Sequence, residues 1–246
     1  MEFEKTGMRF FLAIPDLISL LNLSFGFLAI LTAFNGDIFL SSVLIIISVV
    51  FDSMDGWVAR KVGRNDEYGF GKNIDSLADV VSFGVAPGIL LYTAALQYSI
   101  GNIYFNQIVF LVTIVSVFMV ICGTLRLTRF NVIAGIVDYN GFIGLPIPTI
   151  AILLSTFILS GFFNIYLAMV LMIVTGLLMI SNLKYPKFDN DKIISLAGLL
   201  ISLIVVFYSL NLYGIYSLNL FGINIFASIL FVLVVVYVFI NFLKAF

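Results

Sequence analysis

The sequence predicts an all-α membrane protein, a polytopic helical bundle of eight transmembrane helices, and three observations carry that prediction. Of 246 residues, 62% are hydrophobic and only 10% charged, far from the quarter charged residues of a soluble domain. Mean hydropathy is +1.19, and the apolar residues gather in runs close to the roughly 20 residues that a bilayer crossing requires. The breaks between runs carry turn or charge signals: Asn35-Gly36, the charged segment 60–74, Gly101-Asn102, 126–142, Gly161, 184–191 and 211–219.

The runs lie at about 14–34, 37–59, 76–97, 105–125, 143–161, 164–182, 192–210 and 221–243. Lys5 and Arg9 precede the first, but no small-residue cleavage site closes it, so it reads as an uncleaved span. Residues 1–13 are expected to form a short segment lying on the membrane surface. Residues 1–190 form the expected membrane domain with a six-helix core, and 191–246 add two further C-terminal helices. No repeat of 20–50 residues is visible, which gives no support to a solenoid or an inverted-repeat architecture.

Charge sets the orientation. With eight spans, all 12 basic residues fall on one side: Lys5, Arg9, Arg60, Lys61, Arg64, Lys72, Arg126, Arg129, Lys184, Lys187, Lys192 and Lys244. The opposite loops (35–36, 98–104, 162–163 and 211–220) hold none. Positive residues stay inside, so both termini are expected in the cytoplasm, at the cell membrane.

Composition also excludes chemistry. A net charge of -1 offers no basic surface for a nucleic acid. Cys122 has no partner cysteine for a disulfide. The absence of histidine removes Ser-His-Asp triads and imidazole metal sites, leaving carboxylates, Lys and Arg, hydroxyls and backbone.

The carboxylates concentrate in one place. Asp52 and Asp55 end the second run, Asp75 and Asp79 begin the third, and all four therefore meet at the cytoplasmic edge of one helical hairpin. Spacing i,i+3 puts the first pair on one helix face, and i,i+4 does the same for the second. Four acids facing one another in a partly apolar site need cations to neutralise them. An all-oxygen set without His or Cys suits Mg²⁺, Mn²⁺ or Ca²⁺ rather than zinc, and two ions sharing four carboxylates could clamp a diphosphate. Gly56 and Ala59 leave room for a flat base or a sugar to approach the backbone, and Arg60 can pair with phosphate or with the acids. Helix capping at the interface explains one such Asp, but not four interleaved with Gly, Ala and Arg.

The pattern D-x2-D-G-x2-A-R…G-x3-D-x3-D resembles the signature of the CDP-alcohol phosphotransferases. It falls on Asp52, Asp55, Gly56, Ala59, Arg60, Gly71, Asp75 and Asp79. Ten residues separate Arg60 from Gly71, slightly more than is usual, and the excess is assigned to the interhelical loop. The resemblance implies that Asp52 and Asp75 bridge two divalent ions and that Asp55 ligates one. Asp79 would ligate the other and take the proton of an acceptor hydroxyl. It also implies a homodimer.

Further segments are similar to the family's serine-transferring members: PDLISLLN (15–22), GKNIDSLADVVSFGVAP (71–87), CGTLRLTRFN (122–131), GFIGLPIP (141–148) and MISNLKYPKF (179–188). The implied donor is CDP-diacylglycerol or CDP-archaeol, the implied acceptor L-serine, and the surroundings membrane lipid. Asp16 and Ser19 stand where many relatives have Asn and Thr, and could reach the nucleotide, although Pro15-Asp16 also reads as a plain helix start. Arg126 is the favoured carboxylate fork for serine, Arg129 serves equally well as a membrane anchor, and Ser82 could line the acceptor pocket. Other acceptors, glycerol 3-phosphate or inositol phosphate, would need a denser basic pocket. A divalent-cation transporter would place its acids near the bilayer midplane.

Overall fold

The structure is a computed structural model that describes residues 7–63, 66, 68–133, 141–186, 198–206, 208 and 225–243. The side chain of Arg9, residues 1–6 of the surface segment, Arg64, Lys187, Lys192, Lys244 and the loop 211–220 lie outside the described residues.

A helix meets each of the eight runs. After a short turn, α1 (Met8–Phe11), the bundle consists of α2 (Ile14–Phe34), α3 (Ile38–Val62) and α4 (Phe70–Asp79), which runs through a π-helical turn (Val80–Val85) into α5 (Ala86–Tyr98). Next come α6 (Phe105–Ile133), α7 (Ile147–Leu159), α8 (Ile165–Ile180), α9 (198–206) and α10 (Ile225–Leu243). Four continuous helices, Ile14–Phe34, Ile38–Val62, Phe70–Tyr98 and Phe105–Ile133, are long and apolar enough to cross a membrane. The molecule is an integral membrane helical bundle.

Local chemistry sets the helix ends. The Asp37 carboxylate caps α3 by accepting from the Leu40 amide at 2.9 Å, and Gly63 closes that helix at φ 65°, where a side chain would be strained. Asp66 satisfies the first turn of α4, accepting from the Gly71 and Lys72 amides at 3.1 and 3.0 Å. Pro87 has no N–H to return to Phe83, and the turn before it widens to a π-helix. Many hydroxyls of the spans bond back to their own helix, as Ser42 does to Ile38, which satisfies them in lipid.

α7 is buried along nearly its whole length and forms the centre around which α3, α5, α8 and α10 pack. Leu17, Leu28, Phe110, Ile114, Val117 and Ile121 point outward from α2 and α6, as a lipid-facing surface requires. A second cluster joins Val43 and Ile46 of α3 to Leu200 and Ile204 of α9 and Leu230 of α10, so the C-terminal helices are packed onto the core.

Several helix limits depart from the sequence expectation. α4 begins at Phe70 rather than 76, because the Asp66 cap starts it early. α6 continues past 125 to Ile133, carrying Arg126 and Arg129 on the helix itself. The fifth run does not begin as helix. Residues 142–143 form a two-residue antiparallel ribbon with 184–185, Phe142 opposite Tyr185, and the helix starts only after Pro146.

Candidate active site

α2, α3 and α4 meet around the four acids. Asp52, Asp55 and Asp75 each present a carboxylate oxygen, and these three lie within 4.8 Å of one another. Asp79 completes the quartet: its carboxyl is within hydrogen-bonding reach of Asp52, and Asp55 stands in the same relation to Asp75. Both pairs therefore face each other across the α3–α4 hairpin, as the i,i+3 and i,i+4 spacings require.

Two residues of α2 hold this quartet from behind. The Ser19 hydroxyl donates to Asp55 Oδ2 at 2.6 Å, and the Asn22 amide donates to Asp79 Oδ1 at 3.2 Å. Both α2 residues are buried. The close approach of α2 to the π turn makes this possible: a Cβ on Gly26 would come within 2.6 Å of the Ser82 backbone Cα, so only glycine fits.

An open cleft of about 410 Å³ leads to the acids, lined by Ser19, Asp55, Gly56, Ala59, Arg60, Asp66, Gly71, Lys72 and Asp75 among others. The structure thus brings Ser19, Gly56, Ala59, Arg60 and Gly71 together in the lining of one cleft. A Cβ on Gly56 would meet only Arg60 Nη1, at 3.5 Å, an ordinary contact. Internal packing does not demand glycine there, and the residue opens onto the cleft.

Three expected site residues are engaged by protein groups. Asp16 is fully buried and its Oδ2 accepts from the Ala13 amide at 2.8 Å, capping α2 outside the cleft lining. Ser82 does not face the cleft. It lies in the π turn, where its hydroxyl donates to the Asn22 carbonyl at 3.0 Å. Arg129 fastens the C-terminal ends of α6 and α8 to the ribbon, donating to the carbonyls of Ile143, Met179, Ile180 and Ser181 at 2.9–3.0 Å. A guanidinium saturated by backbone at a helix C-terminus is a structural clamp.

Arg126 differs. It is only 5% exposed, and its Nε has no hydrogen-bond partner among the described residues. Its guanidinium carbon lies 5.2 Å from the Phe130 ring and 5.7 Å from the Phe142 ring, within electrostatic reach of Asp79 and Asp52. Asn22 and Asp66 are the residues that the sequence reading did not single out. Asn22 ends the quoted 15–22 segment, and a lone Asn one helical turn after Ser19 in an apolar helix is the signal that could have found it.

The donor set fits a hard divalent ion. Asp75 Oδ1 is buried and has no partner among the described residues, and all the nearby ligand atoms are oxygens.

The sequence model of the CDP-alcohol phosphatidyltransferases matches residues 12–181, which contain every residue of this site. The chain belongs to the CDP-alcohol phosphatidyltransferase family. Among relatives of this family, it is 48% identical over 180 residues to the archaetidylserine synthase of Methanothermobacter thermautotrophicus, covering 73% of this chain and 72% of that one. It is 42% identical to the CDP-diacylglycerol–serine O-phosphatidyltransferase of Methanocaldococcus jannaschii, over 81% of this chain and 87% of the relative. The protein of that same name from Bacillus subtilis is 34% identical over 72% of this chain.

Proposed function

We propose that this phosphatidyltransferase moves the phosphatidyl or archaetidyl group of a CDP-linked lipid to the hydroxyl of L-serine, releasing CMP. The observation that carries the reading is the cluster of Asp52, Asp55 and Asp75 oxygens, with Asp79 beside it, at the end of a cleft whose wall is Gly56, Ala59 and Arg60. The names of the relatives support serine as the acceptor.

Asp52, Asp55, Asp75 and Asp79 would hold two divalent cations, Mg²⁺ or Mn²⁺, with Ca²⁺ as the alternative. When bound, such ions supply positive charge to the diphosphate and to the oxygen that leaves with CMP. The chain's own residues do the rest. Gly56 and Ala59 admit the cytidine against the α3 backbone, while Arg60, Gly71 and Ser19 border the diphosphate. Asp79, oriented by the Asn22 amide, accepts the proton of the serine hydroxyl. The serine oxygen then bonds to the lipid-linked phosphorus, and the P–O bond to CMP breaks with its electron pair on CMP. Arg126 pairs with the serine carboxylate, since its buried guanidinium has an unpartnered nitrogen next to Asp79. Asp16 and Ser82 support α2 and the π turn rather than touching substrate. Arg129 holds the acceptor side of the site together.

The acids share α3 and α4 with Arg60, Lys61 and Lys72, and Arg126 of α6 lies within electrostatic reach of Asp79 and Asp52, which supports a site and termini facing the cytoplasm at the cell membrane. The family resemblance supports a homodimer, which cross-linking in native membranes tests.

Purified protein with CDP-archaeol or CDP-diacylglycerol tests the reading through an acceptor panel. CMP release should require serine and fail with ethanolamine, glycerol 3-phosphate and inositol phosphate. EDTA should abolish it, and Mg²⁺ or Mn²⁺ should restore it. Equal release with another acceptor, or full activity in chelator, would refute the corresponding part.

A further inference from the structure

Two arginines one helical turn apart on α6 are held in opposite ways. Arg129 gives its N–H groups to backbone carbonyls. Arg126 is buried, its Nε has no acceptor among the described residues, and aromatic rings stand beside it instead. Its guanidinium carbon lies over the Phe130 ring at 5.2 Å and over the Phe142 ring at 5.7 Å. The two ring centroids are 6.5 Å apart, so the rings flank the cation on adjacent sides rather than opposite ones. An aromatic face attracts a guanidinium without taking a particular N–H, whereas a carbonyl takes one.

The rings reach Arg126 by different routes. Phe130 is four residues further along the same helix, where periodicity alone makes the two neighbours. Phe142 comes from the ribbon, which at two residues per strand is too short to be stable by itself. Backbone groups fix it: Arg129 Nη2 donates to the Ile143 carbonyl at 2.9 Å, and the Gly144 amide to the Leu183 carbonyl at 2.8 Å. Opposite Phe142, the buried Tyr185 donates its hydroxyl to the Val238 carbonyl of α10 at 3.1 Å. None of these bonds uses the Phe142 side chain, which leaves the ring to act on Arg126. A buried cation is costly unless it is paired, and the rings offset part of that cost while sparing its donors for a ligand. We propose that Phe142 is a positioning residue of the acceptor subsite, one whose ring, beside that of Phe130, holds the Arg126 guanidinium ready for the serine carboxylate. This rests on the assignment of Arg126 to serine.

The test measures serine KM, CDP-lipid KM, kcat and the thermal midpoint for full-length Phe142→Leu, Phe142→Trp and Arg126→Lys. Leu keeps the apolar bulk but has no aromatic face, and Trp keeps the face. Phe110→Leu, on the exposed side of α6, is the control and should leave every value unchanged. Phe142→Leu should raise serine KM about fivefold, the scale of one cation–π contact, with kcat and donor KM within about twofold and the midpoint within a few degrees. Phe142→Trp should keep serine KM within about twofold of the wild type. If Arg126→Lys raises serine KM and Phe142→Leu does not, the role of Phe142 is overturned while that of Arg126 stands. If Arg126→Lys leaves serine KM unchanged, the assignment of Arg126 falls and the inference with it. An equal rise for Leu and Trp, a matching rise in donor KM, or a collapse of the midpoint would show that the ring serves packing, and would also overturn the inference.

Discussion

The Asn22 side chain, fully buried in α2, donates its amide to Oδ1 of Asp79 across 3.2 Å and so fixes one oxygen of the acid placed to accept a proton. The Asn22 backbone carbonyl meanwhile accepts from Ser82, which ties the same residue to the π turn directly after Asp79. One residue of the first span therefore locks both the side chain and the backbone around the proposed base.

Replacing Asn22 with Ala removes the orienting amide and leaves the quartet's ligands in place. Turnover should fall by roughly 10–100-fold, the usual cost of losing an outer partner of a metal-site carboxylate. Donor KM should change far less. Steady-state kinetics with varied serine and CDP-lipid check this.

Gly56 faces open cleft rather than protein, so a larger side chain there should obstruct substrate without disturbing the fold. Gly56→Val should raise donor KM at least about tenfold, near 1.4 kcal/mol, while the thermal midpoint in detergent stays within a few degrees. A large fall in midpoint with unchanged donor KM would show that the glycine serves packing.

Arg129 joins three segments through backbone carbonyls, and Gly144, at φ 78°, gives it room, since a Cβ there would collide with Arg129 Nη2 and the Met179 carbonyl. Arg129→Gln should lower the thermal midpoint by roughly 5–10 °C, reflecting the loss of charge-assisted bonds to four backbone carbonyls. Differential scanning fluorimetry in micelles measures it.

The acids were legible in the sequence because helical periodicity alone places Asp52 with Asp55 and Asp75 with Asp79, whatever the surrounding tertiary structure. Gly56, Ala59 and Arg60 follow on the same helix and were legible for the same reason. The roles of Ser82, Arg129 and Asp16 were not, since each depends on which backbone group stands opposite. Ser82 faces α2 together with Asp79, but its hydroxyl is taken by the Asn22 backbone carbonyl, a partner that no periodicity names. The ribbon pairing Phe142 with Tyr185 joins segments more than 40 residues apart through two-residue strands, too short for any periodic signal.

Orientation has its own test. In a Cys122→Ala background, a cysteine at Ile103, which is 92% exposed in the loop before α6, should react with an impermeant maleimide on intact cells. A cysteine at Tyr68, in the loop beside the cleft, should react only after the membrane is opened. The reverse pattern would place the site outside.

The proton-acceptor role of Asp79 is tested by a single-turnover experiment on Asp79→Asn, with enzyme in excess over CDP-lipid and serine saturating. Asn keeps the shape and one oxygen of the carboxylate but cannot serve as the proton acceptor. The account predicts that CMP release slows by at least about a hundredfold. CDP-lipid binding, followed separately by equilibrium titration, should weaken only a few-fold, because Asp52, Asp55 and Asp75 still form the oxygen cluster at the cleft. CMP release at the wild-type rate, or a loss of donor binding as large as the loss of rate, would contradict it.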